Sequence, residues 1–481
     1  MAAAAPQRPS GFLKRELVRG IGWLDATTLV VGSMIGSGIF IVSAKSARVL
    51  GSGGWVLAAW AIAGVLTMIA ALCCSELAAM MPKAGGQYVF FREAYGPLFG
   101  FLFGWTMFLV VQTGTIAAVA VAFAKFLGVL WPAVSEAKTR IGPFSVSAAQ
   151  AVGVAVILLL TASNATGLKT GTTTQNVFTF AKLAALVALT ALGLRLGGED
   201  AAFRVGDFWK AVSPGGETLT GLALLTALGT AMVGPLFSQS AWNNVTFAGE
   251  EVEKPGRTLP IALLVGCLLV TSLYVLANIA YLNVLPLRSV QSAPADRVAT
   301  AVATSLFGPA AANAMALAIM VSTFGCVNGL ILSGARVSFA MARDGLFFRR
   351  LERLNDAAVP GNALWAQAMW ASVLALSGSY SDLLEYVISA DILFYVLLVV
   401  AVIVLRRKRP NLPRPFRAPA YPYLPLLYAA TGAVLIAVLL AGSPRTTWPG
   451  YALVLTGVPV YFAWGRRRGS SRSLPERTRG T

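Results

Sequence analysis

The sequence predicts an all-α membrane protein with about twelve transmembrane helices, and three observations lead to this prediction. Of its 481 residues, 57% are hydrophobic and 12% are charged, whereas soluble domains carry about 25% charged residues. Apolar stretches of the roughly 20 residues that cross a bilayer recur through nearly the whole chain. Lys and Arg residues collect in alternate connections between these stretches, as in chains that cross a membrane repeatedly.

Hydropathy predicts twelve spans in order along the chain. They cover residues 22–49, 54–80, 97–128, 146–164, 175–196, 219–249, 258–284, 309–341, 362–378, 381–405, 422–442 and 448–465. The connections are short, so we expect one membrane domain. Its predicted parts are an N-terminal tail (1–20), a core (21–405), two additional helices (406–465) and a basic tail (466–481). Within the core, residues 21–200 and 219–405 form two halves of five spans each.

The basic residues predict the orientation. With the N-terminus in the cytoplasm, most of the 38 Lys and Arg residues fall on the inner side, which predicts that both termini are cytoplasmic. We therefore expect a multi-pass protein of the plasma membrane, that is, the cell inner membrane of a bacterium. Runs such as Arg406–Arg409 and Arg466–Arg468 account for much of the net charge of +18. We interpret them as anchors at an anionic lipid surface and not as a nucleic-acid-binding patch.

Several kinds of chemistry have no support in the sequence. The chain has no histidine, and its four cysteines lie inside apolar stretches without metal-ligand spacing. No Gly-rich phosphate-binding loop of the GxxxxGK[ST] form is present. We therefore expect neither a metal nor a cofactor, and we favour a secondary transporter over an enzyme.

Two predicted spans contain interruptions in corresponding places. Residues 32–38 of span one read Gly-Ser-Met-Ile-Gly-Ser-Gly, and span six contains Gly234-Pro235 followed by a polar run as far as Asn244. A helix-packing face of small residues is one interpretation of such a stretch. Because spans one and six each begin a half of five spans, the paired interruptions favour an inverted-repeat transporter whose site lies at the bilayer midplane.

Broken helices offer a site for a zwitterion. Free N–H groups at the start of a half-helix attract an anion such as a carboxylate. Free carbonyl groups at the end of a half-helix attract a cation such as an ammonium. Two broken helices side by side therefore suit an α-amino acid, which carries both charges on one carbon.

Several motifs then resemble a known family, the permeases of the amino acid–polyamine–organocation (APC) superfamily. The first is Gly36–Phe40, and further ones are Glu76–Tyr88, Glu250–Pro260 and the stretch from Arg336 to Leu346. Trp242-Asn243-Asn244 resembles the L-amino-acid transporter branch of that family. The resemblance covers nearly the whole chain. It implies the LeuT-type fold, a five-plus-five inverted repeat with broken helices 1 and 6, followed by two additional C-terminal helices.

The resemblance also implies which residues bind the substrate. The Gly36–Gly38 backbone would bind the carboxylate, the backbone around Phe237–Ser240 would bind the amino group, and Phe237 would be an aromatic gate. Related permeases usually place an aromatic residue and glycines after this Phe, so the residues here indicate a smaller or more polar pocket. The predicted substrate-binding set is Ile35, Gly36, Ser37, Gly38, Ile39, Phe237, Ser238, Gln239, Ser240 and Ala241.

Three ionisable residues lie in or near predicted spans. Lys182 in span five either extends to the membrane interface or, as the resemblance implies, places its ammonium where a sodium ion sits in sodium-coupled relatives. In the second case it is either a fixed tether or a proton carrier that couples transport. Asp391 lies deep in span ten and is a packing residue, an ion-pair partner or a proton carrier. Glu76, near the inner end of span two, is interpreted as a gate or loop anchor, with a plain boundary residue as the alternative.

The expected substrate is an amino acid, moved by sodium-independent exchange, uniport or proton-coupled uptake. The alternatives are a polyamine or another amine-containing solute, or an amino-acid sensor that transports nothing. Animal relatives attach to a single-span glycoprotein through a cysteine between spans three and four. The corresponding loop, residues 128–147, contains no cysteine, so no disulfide-linked heavy chain is expected, and the sequence leaves the oligomeric state open.

Overall fold

The computed structural model describes residues 17–134, 138–141, 144–197, 201–204, 206–377, 380–442 and 444–471. Nearly all of them are helical. Most of the predicted N-terminal tail (residues 1–16) and the end of the predicted C-terminal tail (residues 472–481) lie outside the described residues.

Among the described residues, the first half of the core contains eight α-helices and one hairpin. A π-helical segment, Met107–Val111, joins α5 and α6, and the antiparallel strands β1 (Lys138–Ile141) and β2 (Phe144–Ser147) join α6 and α7. The helices are α1 (Trp23–Met34), α2 (Gly38–Leu50), α3 (Gly53–Met80), α4 (Gln87–Tyr95), α5 (Pro97–Thr106), α6 (Gln112–Leu130), α7 (Ala148–Ala165) and α8 (Leu168–Leu196).

The second half continues with another interrupted helix. Its helices are α9 (Gly221–Ser238), α10 (Asn244–Phe247), α11 (Pro255–Val284), α12 (Leu287–Gln291), α13 (Val298–Phe307), α14 (Ala311–Arg343), α15 (Gly361–Ser377) and α16 (Tyr380–Lys408). Two further helices, α17 (Tyr423–Gly442) and α18 (Pro444–Ser471), follow the core. Short 3-10 helices lie at Ala202–Arg204, Gly249–Glu251, Pro294–Asp296 and Arg349–Glu352.

All twelve predicted spans correspond to helical segments, and the differences lie mainly between them. Among the described residues, nine helical segments are long and apolar enough to cross a membrane. The other three predicted spans correspond to α15, α16 and α18. Hydropathy did not predict α4, the hairpin, α12 or α13, because these elements are short or partly polar. Helix α8 begins at Leu168, seven residues before the predicted start of span five at residue 175.

The interruption predicted in span one is a real break. Helix α1 ends at Met34, Ile35 has non-helical dihedrals, and α2 begins at Gly38 after the N-cap residue Ser37. A Cβ on Gly38 would overlap the Oγ of Ser238. Glycine at this position therefore allows the start of α2 to approach the end of α9 closely.

The interruption predicted in span six is also real. Pro235 lies in the last turn of α9, and the helix ends three residues later at Ser238. Ala241 adopts a positive φ of 65°, a conformation that few residues other than glycine adopt. The chain returns to helix only at Asn244. Each half of the core thus begins with a broken helix.

The bundle has two ends. We call the end at which α1 begins the proximal face and the end at which α2 finishes the distal face. At the proximal face, Ile21 pairs with Val252 in a parallel bridge, and the backbone N–H of Glu253 donates to the Ile21 carbonyl at 3.0 Å. At the distal face, Arg48 of α2 forms an ion pair of 2.7 Å with Asp296. Contacts at both faces therefore cover the broken helices.

The π-helical segment has a defined partner. An extra residue in a helical turn frees a carbonyl group from its usual donor. The Leu109 carbonyl accepts a hydrogen bond of 2.9 Å from the indole N–H of Trp370 in α15. One turn later, the amide of Gln112 donates to the Leu330 carbonyl of α14 at 2.8 Å. The segment therefore fixes the register of α6 against α14 and α15.

Candidate functional site

The carbonyl groups freed at the end of α1 all point to donors on neighbouring helices. The Nζ of Lys182 in α8 donates to the carbonyls of Gly32 and Ile35, each at 2.8 Å. The hydroxyl of Tyr274 in α11 donates to the Met34 carbonyl at 3.0 Å. A buried carbonyl without a donor is costly, so these side chains stabilise the unwound stretch.

Helix α14 supplies the remaining donors. The hydroxyl of Ser322 lies 3.2 Å from the carbonyl oxygens of both Ile35 and Gly36. The Sγ of Cys326, one turn further along, lies 3.1 Å from the Ser33 carbonyl oxygen. A Cβ on Gly36 would press against this sulfur. Three helices, α8, α11 and α14, therefore hold the break in α1.

Lys182 does not extend to the membrane surface. Its side chain is 1% exposed, and its two hydrogen bonds go to backbone oxygens of another helix. Earlier on the same helix, the side chains of Gln175 and Thr179 donate to the Thr28 carbonyl at 3.5 and 3.3 Å. The ammonium is therefore bound inside the protein by backbone carbonyl groups at the end of α1.

The predicted carboxylate-binding stretch lies at the start of α2. Ser37, Gly38 and Ile39 are buried, and their N–H groups belong to the first turn of a 13-residue helix. The first N–H groups of a helix lie outside its own hydrogen-bond ladder and attract anions. The close approach of Gly38 to Ser238 brings this helix start beside the end of α9.

The break in span six brings its predicted residues together in a tight turn. The Phe237 carbonyl accepts hydrogen bonds from the N–H and the hydroxyl of Ser240, at 3.0 and 2.8 Å. The amide of Gln239 donates to the Trp60 carbonyl at 3.1 Å and accepts from Thr271 at 3.0 Å. Gln239 is thus directed toward α3 and α11, so its side chain positions the break.

Asp391 lies behind the same break. It lines a small cavity of about 20 Å³ with Ser240, Trp242 and Tyr395. This volume holds about one water molecule. Asp391 is 3% exposed, and Tyr395 lies one turn further along α16. The structure therefore places this carboxyl group against the turn of the broken helix.

A buried ion pair closes the proximal face. The guanidinium of Arg336 in α14 binds both carboxylate oxygens of Glu251, at 2.8 and 3.0 Å, and each side chain is 1% exposed. The neighbouring Glu250 pairs with Arg343 at 3.0 Å at the surface. The loop after α10 is therefore bound to the proximal end of α14 at two points.

Glu76 occupies a second buried site at this face. Its carboxylate binds Arg406 of α16 at 2.9 and 2.6 Å and accepts from the backbone N–H of Ala418 at 2.8 Å. Arg414 lies 3.3 Å from the same carboxylate. Glu76 therefore ties the end of α3 to α16 and to the connection that leads into α17.

Sequence reasoning missed several residues of this arrangement. Tyr274, Ser322 and Cys326 were not predicted as site residues, and the pairing of Glu251 with Arg336 was not foreseen. One signal was available, because Ser322, Cys326 and Gly329 follow the three- and four-residue spacing of one helix face. Nothing in the sequence indicates which carbonyl Tyr274 contacts, because that depends on the packing of α11 against α1.

Comparison with known proteins gives consistent results. A family model described as "Amino acid permease" matches residues 21–460. The chain is 30% identical over 461 residues to the serine/threonine exchanger SteT of Bacillus subtilis (strain 168). The alignment covers 95% of this chain and 98% of that protein. It is 31% identical over 470 residues to the human large neutral amino acids transporter small subunit 2, with 95% and 83% coverage. The human cystine/glutamate transporter is 28% identical, with 98% and 91% coverage.

Proposed function

Because the chain belongs to the amino acid permease family, we propose that it exchanges small neutral amino acids by alternating access without sodium. That it is an amino acid permease with the polytopic LeuT-type fold follows from the family match and the apolar helices. The comparisons do not favour a polyamine carrier or a sensor that transports nothing. Substrate class, exchange and ion independence are the parts proposed here.

The start of α2 at Gly38 and the end of α9 at Ser238 approach closely, and this supports the proposal most directly. The N–H groups at the start of α2 would bind the substrate carboxylate. Carbonyl groups near the end of α9 would bind its amino group. One α-amino acid between the two helix ends satisfies both.

Size and polarity favour a small substrate. The turn after Phe237 carries Gln239, Ser240 and Ala241, and the two breaks approach closely at Gly38 and Ser238. Among the relatives, the one named a serine/threonine exchanger is matched over almost its full length. Serine, threonine and alanine are therefore the first substrates to test.

Sodium independence rests on Lys182. A sodium ion beside a broken helix is bound by backbone carbonyls, and here the ammonium of Lys182 binds two of them at 2.8 Å. A second cation beside this ammonium would be repelled. The protein would then need no bound sodium to stabilise the break.

Alternating access would use the contacts at the two faces. The proximal lock (Glu251 with Arg336) and the distal pair (Arg48 with Asp296) lie on opposite sides of the breaks. Residues 33–38 are buried, so a substrate reaches them only when one set of contacts opens. Opening the two sets in turn would move the substrate across the membrane.

Orientation and location are proposals as well. Basic residues dominate the proximal connections, including Arg406–Arg409, so we place the proximal face and both termini in the cytoplasm and the protein in the plasma membrane. The human relative is named a small subunit. The loop between α6 and α7 has no cysteine and the four cysteines are buried, so we expect no disulfide-linked heavy chain for this chain.

Counterflow in proteoliposomes tests the proposal. Purified protein would be reconstituted with or without internal serine, and uptake of radiolabelled serine, threonine, alanine, leucine and arginine measured in sodium or choline buffer. We expect serine, threonine and alanine uptake that needs internal substrate and is equal in both buffers. Uptake into empty vesicles would contradict exchange, a sodium requirement would contradict the role of Lys182, and preference for leucine or arginine would contradict the substrate class.

A further inference from the structure

A cleft of about 540 Å³ lies on the proximal surface, away from the two breaks. One wall is the start of α11, with Lys254, Gly256 and Arg257. The other wall is Pro415 and Phe416 in the connection between α16 and α17. A Cβ on Gly256 would lie 3.3 Å from Pro415, so the walls touch at the base of the cleft.

The wall of Pro415 and Phe416 is held in place by the core. Glu76 accepts a hydrogen bond from the N–H of Ala418 and lies beside Arg414, so its contacts fall on both sides of this wall. Arg414 also donates to the carbonyls of Leu405 and Arg409, at 3.1 and 2.9 Å. This wall of the cleft is therefore fixed backbone.

Among the described residues, the charged side chains that line the cleft are both basic, Lys254 and Arg257. Lys254 and Arg257 are exposed at its mouth. Within the described part of the chain, no carboxylate lies within ion-pair distance of either side chain. Glu253, the adjacent acidic residue, is exposed and does not line the cleft. An anion is the complementary ligand.

An apolar stripe leads out of the cleft along α11. Ile261 lines the cleft, and Val265, Leu268 and Leu269 continue on the same exposed face of the helix. Their spacing of three to four residues makes one continuous strip on a helix long and apolar enough to cross the membrane. A ligand with a charged head and a long apolar tail would fit both parts.

We propose that this cleft binds an anionic phospholipid of the proximal leaflet. Its phosphate would lie between Lys254 and Arg257, and an acyl chain would follow Ile261, Val265 and Leu268 along α11. Basic pockets between transmembrane helices are known binding places for anionic lipid headgroups. A bound lipid would bridge the start of α11 and the connection before α17. This assignment does not depend on which amino acid is transported.

Native mass spectrometry of the purified full-length chain tests the proposal directly. Phosphatidylglycerol would be titrated against phosphatidylcholine with the same acyl chains. The double variant Lys254→Ala/Arg257→Ala would be compared with Arg350→Ala/Arg353→Ala, which removes two exposed arginines from the same face. We expect one retained phosphatidylglycerol in the wild type and in the control. Its apparent affinity should fall by about tenfold or more in the Lys254/Arg257 variant, since each basic group attracts anionic lipid.

Three outcomes would overturn it. They are equal phosphatidylglycerol binding by the Lys254/Arg257 variant, equal retention of phosphatidylcholine by the wild type, and displacement of the lipid by millimolar inorganic phosphate. The last would identify a site for free phosphate instead. If the double variant fails to fold, Arg257→Gln alone is the milder test, with Arg353→Gln as its control. A smaller loss of affinity for phosphatidylglycerol is then expected.

Discussion

The ammonium of Lys182 joins two turns of a broken helix by binding the carbonyls of Gly32 and Ile35 at equal distances of 2.8 Å. Lys182 lies on α8, so this contact crosses from one helix to the unwound end of another. A single buried side chain therefore supplies donors that a regular helix would supply from its own backbone.

Replacing Lys182 with alanine should reduce transport by at least about tenfold and lower stability. The Gly32 carbonyl would lose its donor and the Ile35 carbonyl would keep only the hydroxyl of Ser322. A buried group left unsatisfied costs about 1–3 kcal/mol. Uptake in proteoliposomes and the unfolding temperature in detergent measure the two effects. Lys169→Ala is the matched control, since Lys169 is exposed on the same helix. Normal uptake by Lys182→Ala would show that the lysine is dispensable for the break.

Gly38→Ala should block transport while leaving most of the fold intact. The added Cβ would overlap the Oγ of Ser238 and separate the two broken helices. We expect uptake to fall by about tenfold or more, because misplacement of binding groups by about 1 Å has effects of this size or larger. Gly206→Ala is the control, since its Cβ would meet nothing within 4 Å.

A second substitution checks the cause. Combining Gly38→Ala with Ser238→Gly removes the overlapping hydroxymethyl group, so part of the lost uptake should return. If the double variant is no better than Gly38→Ala, the loss does not come from the contact between the two helix ends.

Breaking the proximal lock should destabilise the protein more than breaking the surface pair beside it. Arg336→Met leaves Glu251 buried without its partner, and loss of one member of a buried pair costs about 3–5 kcal/mol. Arg343→Met breaks a half-exposed pair, whose contribution is about 1 kcal/mol or less. Thermal unfolding of both variants measures the difference. Equal unfolding temperatures would contradict the burial of the Glu251 pair.

The same variants should differ in accessibility. With the lock broken, a cysteine introduced at Ser33 should react faster with a water-soluble thiol reagent added at the proximal face. The native cysteines are buried, and the Ser33→Cys protein with an intact lock gives the background rate. An unchanged rate would indicate that the Glu251 pair does not control access to the break.

The surface pair should depend on pH in a defined direction. Burial raises the pKa of Glu250, but the hydrogen bond and charge of Arg343 outweigh it and lower the pKa below the ordinary 4.5. The pair therefore stabilises the protein fully above pH 4.5, and this stabilisation is lost as the pH falls through the lowered pKa. Wild type and Glu250→Gln should differ slightly at pH 7 and converge in acid. A difference that grows in acid would contradict this assignment.

Hydropathy and glycine content predicted the spans and both breaks, because each depends on local composition. Gly36, Gly38 and Pro235 disfavour a continuous helix through their own backbone properties, whatever the helix packs against. Their effect can therefore be predicted from the sequence. The position of Lys182 also indicated a buried charge. Its role and that of the predicted substrate residues remain predictions.

The contacts that hold the breaks could not be predicted in the same way. Tyr274 reaches Met34, and Ser322 reaches Ile35, across more than 200 positions of sequence. Such pairs depend on how α11 and α14 pack against α1, and a single sequence does not determine the packing of long apolar helices. The anchoring of Ala418 by Glu76 has the same cause, since the motif around Glu76 does not specify a partner in a distant connection.

The π-helical segment Met107–Val111 has a consequence for sequence change within this chain. A regular helix turns by about 100° per residue, so one extra residue determines which way the whole of α6 faces. Deleting a single residue there would rotate Gln112 away from Leu330. It would also return the carbonyl that Trp370 binds to a regular helical hydrogen bond. A substitution in this segment changes one side chain, whereas a deletion rotates all 19 residues of α6 about the helix axis. The tolerance of α6 to length changes should therefore be far lower than its tolerance to substitution.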